Sequence, residues 1–162
     1  MPGSYGSRTG RVCMEVGTSS VLMLPYTASS VGVARRRLIN DLSAAGVFEA
    51  TTCDAGLVLS ELISNALRHA TPLSGSVVKV SWRFGDDCIG VAVSDGGGPT
   101  VPAVSQPGNA ATGGRGLGIV ERLSLRWGVY ACPDSQETTV WAELALTWDD
   151  EDDLVIASSR DA

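Results

Sequence analysis

Long hydrophobic runs are missing from this 162-residue sequence. The longest apolar stretches, such as Val21-Leu22-Met23-Leu24, run four to six residues, too short for a helix that crosses a bilayer. Met1 to Gly10 also lacks the apolar core of a secretory leader, so a cytoplasmic location without membrane contact is expected. Lysine is nearly absent. Lys79 is the one lysine among twelve basic residues, and the overall charge is −6 rather than basic, so no direct nucleic-acid partner is expected. Close cysteine pairs are absent too. Cys13, Cys53, Cys88 and Cys132 lie 35 to 44 residues apart, which excludes zinc-knuckle and redox-motif spacing. Without a leader, their thiols are expected to be reduced.

What is present suits one globular domain: 44% hydrophobic and 19% charged residues can build a core without staples. Most of the net charge of −6 sits in Asp149-Asp150-Glu151-Asp152-Asp153, so the body is close to neutral. The sequence divides into a Gly-, Ser- and Arg-rich segment over 1–15, expected to be disordered, a domain over 16–148, and an acidic, solubilising tail over 149–162.

Periodicity orders the elements. Ser20 to Leu24 reads as a strand stopped by Pro25. Ser29 or Ser30 is placed to cap a helix over 31–45 whose Val31, Ala34, Leu38, Leu42 and Ala45 share a face, ended by Gly46. A second helix spans about Thr52 to Ala70, with Val58, Leu59, Leu62, Ile63, Ala66 and Leu67 as its apolar stripe. The period then drops to two. Val78, Val80, Trp82 and Phe84 alternate with polar residues, Gly85-Asp86-Asp87 turns, and Ile89, Val91 and Val93 return, predicting an antiparallel hairpin. Gly96 to Gly116 has little to pack and reads as a long functional loop. A third helix from Leu117 to about Arg126 and strands at Trp127–Ala131 and Thr138–Trp148 complete the series. The expected fold class is α+β: a two-layer α/β sandwich with helices on one face of a mixed, mostly antiparallel sheet.

Three constellations could carry chemistry. Glu61, Asn65 and His69 recur every four residues, so they share one polar stripe beside the apolar one, with Arg68 next to it. Asn offers a neutral oxygen to Mg²⁺, Glu can polarise a nucleophile and Arg meets phosphate oxygens, although a solvated helix face shows the same spacing. Asp95 ends a buried strand and is followed by Gly96-Gly97-Gly98, where the backbone can approach a ligand and the carboxylate can accept from an exocyclic amine; a capped turn looks the same. Gly113-Gly114-Arg115-Gly116-Leu117-Gly118 opens a helix whose free N–H groups suit phosphate. It matches neither G-x-G-x-x-G nor a Walker-type P-loop.

The order of these boxes along the chain resembles the GHKL (Bergerat) ATP-binding fold of gyrase, a heat-shock chaperone, histidine kinases and a mismatch-repair protein. The resemblance covers residues 20–147. Within it, Ser60-Glu61-Leu-Ile-Ser-Asn65-Ala-Leu-Arg68-His69-Ala looks like the N box of the bacterial anti-sigma factor serine/threonine-protein kinases. That likeness implies Glu61 as catalytic base, Asn65 as Mg²⁺ ligand, and Arg68 and His69 at the phosphate end. It implies Asp95 and Gly97 at adenine, and Gly116, Leu117 and Gly118 at the phosphates, with Arg115 as the only lid arginine. It matches Thr138 and Thr139 to paired threonines, of which period-two geometry lets one face the nucleotide. Pro99 departs from the D-x-G-x-G box, whose fifth place is glycine, and stiffens the entrance to the lid.

The implied cofactors are ATP and Mg²⁺. The implied activity is phosphorylation of a serine on an anti-anti-sigma-like partner together with sequestration of a sigma factor, and the family's common dimer implies a homodimer. A non-catalytic, ATP-dependent protein-binding module is the alternative, because a nucleotide site does not require turnover.

Overall fold

The structure, a computed structural model, describes residues 17–99 and 114–149. The expected disordered segment, residues 100–113 of the expected loop and all but the first residue of the acidic tail lie outside the described residues. Five strands and three helices follow in the order β1 (Thr18–Pro25), α1 (Ser29–Ala44), α2 (Glu49–His69), β2 (Val77–Phe84), β3 (Cys88–Asp95), α3 (Gly114–Leu123), β4 (Arg126–Ala131) and β5 (Thr138–Ala145). The strands form one sheet in the order β1-β2-β3-β5-β4, and each of its pairings is antiparallel.

The alternation read from the sequence decides the inner face. Val78, Val80, Trp82, Ile89, Val91, Val93, Val140, Ala142 and Leu144 are buried against Leu38 and Leu42 of α1, Leu59, Leu62 and Ile63 of α2, and Val120 of α3. Each such side chain contributes roughly 1.5–3 kcal/mol relative to exposure, so this layer contact stabilises the fold. Asp41 fastens the outer end of the helix layer: its Oδ2 accepts from Trp82 Nε1 at 3.0 Å and from Ser20 Oγ at 3.1 Å. Gly56 brings α1 and α2 together, since a Cβ there would lie 3.2 Å from Ile39 Cδ1.

Helix ends depart from the expectation in an instructive way. Gly46 does take a left-handed conformation, φ +87°, just beyond the C-cap Ala45 of α1. At the other end neither Ser29 nor Ser30 caps. Ala28 is the N-cap, and the Ser30 hydroxyl turns back to the Pro25 carbonyl at 2.5 Å. The last strand stops at Ala145 rather than Trp148. Trp148 instead makes an isolated bridge with Val47 and donates from Nε1 to the Asp86 carbonyl at 2.7 Å. The cysteine expectation is corrected at one position: Cys88 is disulfide-bonded, whereas Cys53 and Cys132 are free. No helix among the described residues is long and apolar enough to cross a membrane.

Candidate functional site

The site is built on α2, which carries Glu61, Asn65, Arg68 and His69. Its 21 residues carry an apolar face into the core and leave the Glu61–Asn65–His69 stripe along the margin toward α3. Glu61 and Arg68 reach the start of α3 from two turns apart. A Cβ added to Gly116, in the first turn of α3, would lie 2.5 Å from Glu61 Oε2 and 3.8 Å from Arg68 Nη2, so a larger residue there would push the Glu61 carboxylate aside. The backbone of Gly116 is thereby held against a carboxylate and beside a guanidinium.

Asn65 stands between these groups and the core. It is only 6% exposed, and its carboxamide makes no hydrogen bond among the described residues. Among the described residues the one fully buried side-chain polar atom without a partner is Ser124 Oγ, so the unbonded carboxamide of Asn65 keeps access to solvent, where a ligand could reach it. The expected Mg²⁺ ion fits that donor. Among the described residues no group of three His, Cys, Asp or Glu could hold a metal, so the ion would take its remaining ligands from phosphates and water.

The other end of the cleft is organised by Asp95, 4% exposed at the tip of β3. Its Oδ1 accepts from the Gly97 N–H at 2.8 Å, which leaves Oδ2 for a ligand. The glycines after it are explained by backbone rather than by a ligand. A side chain on Gly96 would strike the Pro72 carbonyl, one on Gly97 the Gln136 carbonyl, and one on Gly98 would lie 2.5 Å from the His69 carbonyl. Gly97 also has φ +84°. The turn is thus wedged between the exit of α2 and the β4–β5 hairpin.

The structure separates the two threonines. Thr138 pairs with Asp95 on the inner face, and its Oγ1 lies 3.6 Å from the position of a Gly97 Cβ. Thr139 is on the helix-free face, where its hydroxyl meets Ser94 Oγ at 2.7 Å. Thr138→Val is therefore expected to weaken ATP binding about tenfold, whereas Thr139→Val leaves it unchanged and costs about 1 kcal/mol of stability. Nucleotide titration and urea unfolding of the two variants check this; equal loss of affinity in both would refute it.

The remaining expected residues sort by side chain and backbone. Leu117 is 2% exposed and packs in the core, so only its backbone can face a ligand. Gly118 has open space around it. Arg68 and His69 are exposed at the end of α2, and His69 meets the Gly98 turn through its carbonyl. Arg115 lies in the first turn of α3, with its side chain outside the described residues. Two contributors escaped the sequence reading. Tyr26 reaches the end of α2, and Glu137 places its charge near Asp95. Glu137 directly precedes the Thr138-Thr139 pair, which is the one signal that could have drawn attention to it; nothing marked Tyr26.

Burial pushes the Asp95 carboxyl above the ordinary carboxylate range, the Gly97 N–H opposes the rise, and the charge of Glu137 adds to it. The sign follows. A folded-state pKa above the unfolded one gives a contribution to stability that is full below the unfolded pKa and is lost as pH rises through the folded value. An amine donor needs the ionised acceptor, so ligand affinity moves the opposite way and rises with pH through the same window. Titrations between about pH 4 and about pH 7 should show tighter ATP binding as Asp95 ionises. Glu137→Gln should move that midpoint to lower pH; an unmoved midpoint would contradict the assignment.

An open antiparallel sheet with helices on one face, and with Glu61 and Arg68 of α2 set against the first turn of α3, defines the class: a two-layer domain of the GHKL kind. The family model described as a histidine kinase-like ATPase domain matches residues 24–144, and the chain belongs to that family. Among solved structures, the RsbU and RsbW domains of Rv1364c from Mycobacterium tuberculosis are similar over 80% of this chain, with a TM-score of 0.60 and 18% identity. The present chain spans 33% of that longer one. No curated protein matches the sequence.

Proposed function

We propose that the chain binds Mg²⁺-ATP between α2 and α3 and transfers the γ-phosphoryl group to a serine of an anti-anti-sigma-like protein. In the same reading it also sequesters a sigma factor. The observation that carries the proposal is that α2 sets Glu61 and Arg68 beside Gly116 and, through its C-terminal exit, grips the turn that follows the buried Asp95.

Each residue has a separable task. Asp95 Oδ2 accepts from the exocyclic amine of adenine, and Thr138 lines the same end. The Gly116 turn and Arg68 meet the phosphates, the first through the helix terminus and the second through its guanidinium. Asn65 would hold Mg²⁺, which when bound neutralises charge on the phosphoryl group being transferred. Glu61 accepts the serine proton while the hydroxyl oxygen attacks the γ-phosphorus and the bond from that phosphorus to the bridging oxygen breaks, releasing ADP. Little covalent work falls to the protein, so positioning and charge supply most of the acceleration.

The test is phosphoryl transfer from labelled ATP to a purified anti-anti-sigma-type protein, followed by mapping of the modified residue. Label on one serine supports the kinase reading. ATP-dependent complex formation without transfer would instead establish the non-catalytic binding module.

A further inference from the structure

The C-terminal end of α2 lacks the usual glycine. Its C-cap, Ala70, is extended (φ −117°, ψ 177°), and the chain leaves directly through Thr71 and Pro72. A helix ending this way leaves carbonyls without donors. The Ala66 carbonyl takes the Ala70 N–H at 3.0 Å, and Tyr26, between β1 and α1, adds a donor from outside: its hydroxyl donates, in a shared bond, to the Ala66 carbonyl at 2.7 Å and the Ala70 carbonyl at 2.5 Å. The Tyr26 backbone is fixed as well, its N–H donating to the Ser76 carbonyl at 2.9 Å.

That anchor is the first link of a short chain of bonds. Beyond Ala70, the Thr71 N–H and Oγ1 both donate to the Gly97 carbonyl, at 2.8 and 2.9 Å, and the Gly96 N–H returns to the Thr71 carbonyl at 2.7 Å. Gly98 closes against the His69 carbonyl. The segment that leaves Asn65 and Arg68 is therefore the segment that grips the Asp95 turn. The separation between the two ends of the cleft is set where Tyr26 binds.

We propose that Tyr26 is a positioning residue of the nucleotide site, its hydroxyl holding the exit of α2 at the register that lets one ligand reach both Asn65 and Asp95. This rests on the ATP reading of the cleft. The ring packs against the core and is unaffected by loss of the hydroxyl, so Tyr26→Phe removes the link alone. Thr71→Val removes the next link and leaves Tyr26 intact.

The test combines ATP titration with amide exchange on the full chain. In Tyr26→Phe the dissociation constant for ATP is expected to rise about tenfold. The Thr71 and Gly96 amides should exchange faster, while Val80 and Val91 in the sheet keep their protection. Thr71→Val should give a similar loss of affinity, and the double variant should lose little more, because both act through one connection. Unchanged affinity, uniform acceleration of exchange that includes Val80 and Val91, or additive losses would each overturn the inference. A wild type that binds no ATP would overturn the nucleotide reading itself, and the exchange pattern would still report whether the hydroxyl holds the turn.

Discussion

Asp95→Asn is expected to weaken ATP binding by about 100-fold while leaving the fold at least as stable. The turn survives because an asparagine oxygen can still accept from Gly97 N–H, the bond that Asp95 Oδ1 makes at 2.8 Å. The free position then becomes an NH₂ group that faces the adenine amine, donor against donor. A hydrogen bond to a charged acceptor contributes about 1.5–3 kcal/mol, and a buried unpaired donor costs about 1–3 kcal/mol; the lower ends of the two ranges together correspond to roughly that factor. Stability moves the other way, since Asp95 is a buried carboxylate whose ionisation burial already opposes. Equilibrium titration and thermal unfolding of the same preparation read both effects. Undiminished affinity would remove Asp95 from the base-binding end.

Glu61→Gln is expected to leave ATP affinity within about threefold and to slow serine phosphorylation by about 10²–10⁴-fold, the usual contribution of a positioned general base. Glutamine keeps the shape that packs against Gly116 but cannot take the serine proton. The split matters because a residue that only shaped the cleft would lower affinity and rate together. Single-turnover transfer at saturating ATP makes the distinction. A wild-type rate would dismiss Glu61 as the base and favour ATP-gated binding over catalysis.

Much of the architecture could be read from periodicity, because one buried face per element imposes one period. The β2–β3 hairpin and the burial of Leu38, Leu59 and Val93 follow from alternation and helical spacing alone. Helix ends were less legible. Ser30 has the side chain of a cap, but its hydroxyl found the Pro25 carbonyl across a turn that sequence does not specify. The same limit applies at the site. Glu61, Asn65 and Asp95 announce themselves by type and spacing, and the Thr138-Thr139 pair could be narrowed to one residue but not assigned. Its assignment needed the β3–β5 register, which puts Thr138 opposite Asp95 and Thr139 opposite Ser94.

The triple glycine shows a different limit. Gly96, Gly97 and Gly98 read equally well as room for a ligand, yet each is filled by a carbonyl from Pro72, Gln136 or His69. Those contacts join segments more than twenty residues apart, so no local pattern encodes them. Tyr26 was hidden for the same reason: its partners Ala66 and Ala70 lie 40 and 44 residues away.

The most direct measurement is an equilibrium titration of the folded wild-type chain with ATP, with and without Mg²⁺, by calorimetry. The structure predicts one saturable site per chain, tightened by Mg²⁺, with that Mg²⁺ effect lost in Asn65→Ala. No saturable binding by a chain that unfolds cooperatively would contradict the assignment of the α2–α3 cleft to ATP.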